Sequence, residues 1–418
     1  MLSSVIRLED YAVSDNNGFL PSSPPLAKLP SFYEPWELLA SQLSTLIKDE
    51  SIRSLIDNLP ILNVTWLQSE PEWRRAYSVL GFLTHAYIWG GEKPRDKIPP
   101  CITKPFLEIC AHLGLPPCAT YAGLTLWNYT APDDADISNP DNLSLLTSFT
   151  GTPDEEWFLV ISVAIEAKGG KLVTLMLDTI AAATANDVPR VTALLCRFTD
   201  GLRDFNSTLQ RMYERCDPDV FFYQLRPFLA GSKNMASAGL PNGVFYDEGN
   251  GQGQWHQYSG GSNGQSSLIQ TFDIFLEVSH AATGGISGPS GYLQEMRDYM
   301  PASHKKFLEV LAHFSNVRSF VMSSPAEQSL KESYNAACLA LAAFRDTHMK
   351  IVTRYIILPA RRGAPKTNAS ENVNLATASA QVDGLRDETP SGLFGTGGTA
   401  LMPFLKETRD TTKDAAFD

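Results

Sequence analysis

The segment AAFRDTHMKIVTRYII, residues 342–357, carries one histidine in an apolar stripe. At helical spacing His348 shares a face with Leu341, Phe344, Ile351, Val352 and Tyr355, so a helix that buries the stripe takes the imidazole in with it. Two readings are open. The imidazole is a core side chain satisfied by a neighbour, or it is a neutral ligand for a metal or a haem iron. None of the seven histidines is followed two residues later by Asp or Glu. HExxH, CxxCH, a Walker A lysine and a GxGxxG between strand and helix are all missing as well, which removes the usual sequence support for several metalloenzyme and nucleotide-binding classes.

A second candidate lies in SGGSNGQSS, where Gly260-x-Ser262-x-Gly264 matches the nucleophile elbow of serine hydrolases. That motif works on a strained turn between a buried strand and a helix. The preceding GQGQWHQYS is polar and glycine-rich with no strand signal, so half the context is missing and Ser262 as a nucleophile stands only as an alternative. The same loop enters a helix expected from about Gln265, whose first N–H groups attract a carboxylate. A plain helix cap is the simplest use of Ser262. GTGGT at 395–399 lacks the GK[ST] of a phosphate cradle, and its glycines suit a flap.

The elements that must position these residues read as helices. The chain has 418 residues, 43% of them hydrophobic and 10% aromatic, enough for two domains or one large domain with an added lobe. A net charge of −12 argues against nucleic acid or an anionic membrane as the main partner. The six cysteines never fall into CxxC or a zinc-ligand spacing, as expected of reduced thiols in a cytoplasmic protein. The N-terminal residues show no apolar signal-peptide core. The apolar run Trp157–Ile165 is too short to span a bilayer.

Helical patterns cover 34–57, 71–89, 103–113, 117–128, 155–184, 187–214, 217–226, 265–283, 289–299, 302–314 and 325–358, with strand signals nearly absent. The expected fold class is mainly α. Residues 1–30 read as an extended arm and 31–150 as a small helical lobe, whose connector at 129–155 is rich in turn residues. Residues 151–418 read as a large helical lobe containing a flap loop at 359–400. The long irregular stretches 231–264 and 359–400 are of the kind that carries function.

Four strings in order, GGSNGQSSLIQ (260–270), YLQEMRDYMPASHKKF (292–307), RDTHMKIVTRYI (345–356) and GTGGTALMPFLKETRDTT (395–412), together resemble the indoleamine 2,3-dioxygenases. The resemblance runs from about residue 30 to the C-terminus. It implies an all-helical fold with a small N-terminal lobe and a large lobe that binds haem b, active in its ferrous form. His348 matches the proximal haem ligand, Arg345 the residue near a haem propionate, and Asp273 its acidic partner. Tyr121, Phe158, Ser162, Phe221, Arg226, Gly261, Ser262 and Asn263 match the substrate pocket, Ser262 also lying near the haem edge, and Thr396 matches the flap. Asparagine at 263, where many relatives have alanine, implies a more polar pocket. His304 falls in a matched string but is expected to be structural.

Phe158 and Ser162 stand at i and i+4, so one helix face presents both. The Ser162 hydroxyl is suited to an indole N–H, or equally to its own helix carbonyl. Phe221 and Arg226 are five apart, about 140° apart on a regular helix. Pro227 is expected to turn Arg226 off the helix axis toward the pocket. The activity implied is cleavage of the indole 2,3-bond of L-tryptophan with O2 to N-formyl-L-kynurenine, the first step of the kynurenine route, with no acid–base residue and an electron donor for the haem. A monomer is expected. The alternatives are a divergent haem-binding relative acting on another indole or as a sensor, and the serine hydrolase.

Overall fold

The computed structural model describes residues 6–280, 289–362 and 401–417. Thr396 and nearly all of the expected flap, 363–400, lie outside the described residues. Residues 6–30 form an irregular arm with one short 3-10 turn at Leu8–Tyr11. The arm is packed down: Ile6, Val13, Phe19 and Leu20 are buried, and Tyr11 and Phe19 meet Phe307 edge-on at 5.8 and 5.6 Å.

The helix expected over 34–57 is three helices, α1 (Glu34–Ser41), α2 (Leu43–Lys48) and α3 (Ile52–Asp57). The last break falls where Glu50 turns left-handed at φ 55°. A capping box of Ser69 and Glu72 starts α4 (Glu70–Trp89). After β1 (Lys97–Ile98) comes α5 (Pro100–Leu113). Instead of a helix over 117–128 there is one π-helical turn, Ala122–Leu126. The connector is pinned by β2 (Tyr129–Thr130) pairing antiparallel with β3 (Ser144–Leu145).

Next comes α6 (Pro153–Thr184), for which Thr152 accepts a hydrogen bond from the Glu155 N–H and Pro153 occupies the first turn, where its missing N–H costs nothing. The buried Glu155 carboxylate then gathers the chain before it, accepting from Ser148 Oγ at 2.7 Å and from the Phe149 N–H at 2.8 Å. The next helices are α7 (Val188–Gln210), α8 (Met212–Arg215) and α9 (Pro218–Val220), then a π turn at Phe221–Leu225 and α10 (Arg226–Leu229).

The stretch 231–264 is not structureless. It holds a hairpin of β4 (Val244–Gly249) and β5 (Gln252–His256), and β4 also pairs in parallel with β1. Asn250 and Gly251 turn the hairpin with φ of 55° and 76°, the two positive values that a two-residue turn matching strand twist requires. Then follow α11 (Ser267–Phe275), shorter than the 265–283 expected, α12 (Pro289–Arg297), α13 (Ala302–Phe314), α14 (Val317–Met322) and α15 (Gln328–Val352). A π turn at Thr353–Ile357, α16 (Leu358–Arg362) and α17 (Leu401–Asp414) complete the described chain.

The mainly α fold class holds, with only short strands among the described residues. α7 packs on α6 and α15, and α17 lies along α15. One apolar cluster runs from the arm through α4 to α15. Among the described residues no helix is long and apolar enough to cross a membrane. All six cysteines are free.

Candidate active site

A large cavity opens between α6, α15, the Phe221–Leu229 segment and the loop before α11, with about 1880 Å³ of empty space including its mouth. On α6, Phe158 and Ser162 both line it, as their spacing of four requires. Thr179 and Thr184 on the same helix bond back to the carbonyls of Leu175 and Ile180. The Ser162 hydroxyl does not, and among the described residues it has no hydrogen-bond partner. It is free for a ligand.

Phe221 and Arg226 also line the cavity, but not in the way Pro227 suggests. Arg226 keeps right-handed helical backbone at φ −53° and ψ −36°, so it does not leave the helix. The segment before it widens instead. The Arg226 N–H donates to the Phe221 carbonyl, an i to i+5 bond, and a π turn brings residues five apart to nearly the same side. A proline ring clashes with the carbonyl four residues earlier in an α-helix, here that of Tyr223 inside the π turn. The same arrangement recurs at Thr353–Ile357, followed two residues later by Pro359. The Arg226 side chain is fully buried, and burial lowers its pKa to about 10, which leaves it charged at neutral pH. The Phe221 ring meets Phe158 at 4.9 Å and Tyr355 edge-on at 5.7 Å, forming an aromatic wall.

The loop 257–266 supplies the third wall. Gly261 lies so close to Leu124 that a Cβ would come within 2.5 Å of its Cδ1. Ser262 has extended backbone, φ −146° and ψ 142°, without the strain of a nucleophile elbow. Its hydroxyl accepts from the Gly264 N–H at 3.2 Å and sits 3.1 Å from Tyr292 Oη. No histidine hydrogen-bonds it among the described residues, so the hydrolase alternative has neither its turn nor its base. Ser262 caps a 3-10 turn at Asn263–Gln265, and it is Ser266 that caps α11. Asn263 is exposed at the cavity mouth.

On α15, His348 faces the cavity and has no hydrogen-bond partner among the described residues. Burial, with the Arg345 charge adding to it, lowers the imidazole pKa to about 4, so the ring is neutral with a lone pair available. One turn earlier, Arg345 Nη2 donates to both Asp273 oxygens at 2.7 Å, and Nη1 reaches Thr412 Oγ1. Burial alone would raise the Asp273 pKa, but Arg345 and His280 outweigh it and hold the carboxyl below the usual range. α11, α15 and α17 are thereby tied together at one edge of the cavity. His304 is buried, with its ring edge-on to Phe19 at 5.0 Å.

The indoleamine 2,3-dioxygenase family model matches residues 7–415. The indoleamine 2,3-dioxygenase acdA of Aspergillus candidus is 42% identical, over 98% of this chain and 97% of its own. Indoleamine 2,3-dioxygenase of Saccharomyces cerevisiae is 40% identical over 97% and 92%. The 6-hydroxytryptophan 2,3-dioxygenase fscD of Fusarium equiseti is 40% identical over 97% and 96%. The chain belongs to the indoleamine 2,3-dioxygenase family. It is a haem-dependent dioxygenase of the tryptophan type.

The cavity suits the family's cofactor. Among the described residues no three His, Cys, Asp or Glu side chains converge to hold a metal ion, and a porphyrin would itself supply most of the ligands of its iron. The imidazole of His348 could bind the iron, and the apolar lining suits a macrocycle. The Arg345–Asp273 pair could meet its carboxylate tails.

Three residues with clear parts in building this family member's cavity escaped the sequence reading. Gln265 accepts from the Tyr121 N–H at 2.9 Å and donates to the Gly260 carbonyl at 2.9 Å, holding two walls together. Tyr292 steadies Ser262. Glu166 lies one turn beyond Ser162 and lines the cavity. Its spacing of four from Ser162 was a visible signal.

Proposed function

We propose that this cavity cleaves the indole 2,3-bond of L-tryptophan with O2 to give N-formyl-L-kynurenine, opening the kynurenine route of tryptophan breakdown. The observation that carries the reading is Arg226, a fully buried guanidinium that lines the cavity together with Phe221 and Leu229 of its own segment. An indole ring is uncharged, so a fixed cation there is matched to the anionic end of an amino acid. The planar fork of Arg226 can hold both oxygens of an α-carboxylate. Phe158 and Phe221 pack the ring, with Tyr121 and Gly261 closing the same space. The Ser162 hydroxyl takes the indole N–H.

Haem, when bound, supplies O2 activation in its ferrous state, and the chain binds, orients and excludes water. In this reading His348 would bind the haem iron, and Arg345 with Asp273 would hold the propionate edge. Ser262 and Asn263 would border the haem edge. The protein acts as a cytoplasmic monomer of two lobes, served by a one-electron donor.

A second substrate, a hydroxylated tryptophan, is favoured by the Fusarium relative named for 6-hydroxytryptophan and by the polar Asn263 at the mouth. The test is an absorption spectrum of the purified protein with and without L-tryptophan, followed by turnover under O2 with a reductant. A Soret band that shifts on adding L-tryptophan, with N-formylkynurenine as product, is expected. Turnover of 6-hydroxytryptophan with none of L-tryptophan would replace the first substrate with the second.

A further inference from the structure

Glu166 has no part in the reading above, yet its surroundings are those of a group that exchanges protons. It follows Phe158 and Ser162 at the same spacing of four along α6, and all three line the cavity. The residue is 1% exposed. Its Oε1 accepts from Tyr121 Oη at 3.0 Å and from Ser266 Oγ at 2.6 Å. Its Oε2 is buried with no hydrogen-bond partner among the described residues.

A carboxylate left with one bare oxygen in an apolar enclosure is poorly solvated. A carboxylic acid is not: a proton on Oε2 removes the charge, and Oε1 keeps both donors. Among the described residues, the groups that hydrogen-bond the Glu166 carboxyl are the neutral hydroxyls of Tyr121 and Ser266. Among the described residues, the other ionisable groups on the cavity wall are Arg226, Arg345 paired with Asp273, His348, and the phenols of Tyr292 and Tyr355. Burial pushes the Glu166 carboxyl up to about 7, with the Ser266 and Tyr121 hydrogen bonds pulling the other way.

We propose that Glu166 is the proton-exchanging group of the cavity, taking up one proton when the haem iron is reduced and releasing it when the iron is oxidised. The proposal rests on the reading that seats the haem in this cavity. An external one-electron donor lowers the charge on the iron by one, and one proton from solvent goes onto Oε2, so the enclosed charge is unchanged. The positive ferric centre favours the carboxylate, and its loss favours the acid. By linkage, the same coupling makes the ferric-to-ferrous midpoint potential fall as pH rises. A tenfold change in a one-electron equilibrium is 59 mV, so full coupling gives a fall of about 59 mV per pH unit over the range in which Glu166 titrates.

The test is a spectroelectrochemical titration of the holoenzyme at pH values on both sides of neutrality. The wild-type potential is expected to fall with pH, and Glu166→Gln, which mimics the acid, is expected to show a flat profile with its Soret band kept. The reduced-minus-oxidised infrared spectrum should contain the carbonyl stretch of a carboxylic acid in wild type and lose it in Glu166→Gln. Tyr121→Phe, which removes one donor to Oε1, should move the sloping range to higher pH. A pH-independent wild-type potential overturns the proposal, as does an equal slope in Glu166→Gln. If either result comes with loss of haem in His348→Ala, this proposal fails alone. A wild-type spectrum in His348→Ala overturns the haem placement and this proposal with it.

Discussion

Helix α6 and the Phe221–Leu229 segment meet where the Phe158 and Phe221 rings touch, and they aim side chains into one cavity by opposite means. α6 is an unbroken helix, so residues four apart share a face and Phe158, Ser162 and Glu166 follow from counting. The other wall works because its register is broken. Phe221 and Arg226 reach the same space only through a π turn, and counting at 3.6 residues per turn places them on different sides. Regular elements can be read from spacing, whereas a wall that depends on an extra residue in the turn cannot. α15 belongs with α6, since its Arg345 and His348 stand three apart on regular helix.

The largest expected effect tests the regular side. His348→Ala should lose the haem or hold it weakly, because among the described residues the other ionisable groups on the cavity wall are carboxylates, arginines and phenols, poor substitutes for a neutral imidazole. The Soret absorbance per chain measures it, and wild-type haem content in the variant would remove His348 from the ligand role. On the irregular side, Arg226→Ala should raise KM for L-tryptophan and leave the haem spectrum near normal. Removing one partner of a buried charged pair costs about 2–5 kcal/mol, or roughly 30-fold to several-thousand-fold in affinity. Tryptamine, which lacks the carboxylate, should distinguish little between variant and wild type. A KM within about threefold of wild type, roughly 0.7 kcal/mol, would mean that Arg226 does not anchor the substrate.

What could be read in the sequence divides along the same line. The helical stripe with His348, the start of α6 at Thr152 and Pro153, and the pairing of Phe158 with Ser162 were all visible as spacing or capping chemistry. The roles of Arg345, Asp273, Arg226 and Gly261 came only from resemblance, because each depends on partners distant in sequence. The hairpin at 244–256 was hidden by its polar, glycine-rich strands, although Asn250-Gly251 was a turn signal in plain view. The π turns left no trace in hydrophobic periodicity. Their one sequence mark, a proline two residues past the turn, is shared by Phe221–Leu225 and Thr353–Ile357 but not by Ala122–Leu126. Ser266 rather than Ser262 caps α11 because the chain takes a 3-10 turn first, a detail of two residues that propensity does not resolve.

Glu166 sharpens the comparison from within α6, since its position was legible and its chemistry was not. A carboxyl raised from 4.5 to about 7 in the folded state adds no penalty below the unfolded value. It costs stability as pH rises from about 4.5 to 7, because the unfolded chain ionises first. The full cost is about 3 kcal/mol at 1.36 kcal/mol per unit. Glu166→Gln should therefore gain stability relative to wild type on going from pH about 4.5 to pH 7, measured as the difference between the two thermal melts of haem-free protein. Parallel melts across that range would mean the carboxyl is not raised.

Smaller effects are expected from the two serines. Ser162→Ala would remove the proposed bond to the indole N–H, and Ser262→Ala its bonds to Gly264 and Tyr292, each worth about 0.5–1.5 kcal/mol, so both should keep measurable turnover. Abolished activity in Ser262→Ala with haem retained would show that this hydroxyl does more than make single hydrogen bonds.

The smallest effect concerns Pro227, and it asks what keeps the π turn open. If the proline ring alone widens the turn, Pro227→Ala lets the segment relax to an α-helix and swings Phe221 away from Arg226. Packing opposes that swing. Arg226 and Phe222 are fully buried, and the Phe228 carbonyl is held by His85 Nδ1 at 2.7 Å. Trp89 Nε1 donates to the Ala230 carbonyl at 3.0 Å. Rewinding would have to break these contacts from α4, each worth about 0.5–1.5 kcal/mol, to gain one helical hydrogen bond of similar size. The π turn should therefore persist in Pro227→Ala. KM for L-tryptophan should stay within about twofold, or ~0.4 kcal/mol. Stability should drop by only about 0.4–1 kcal/mol, from the greater freedom of the unfolded chain. A KM increase as large as that of Arg226→Ala would show instead that the ring, and not the packing, sets the position of the arginine.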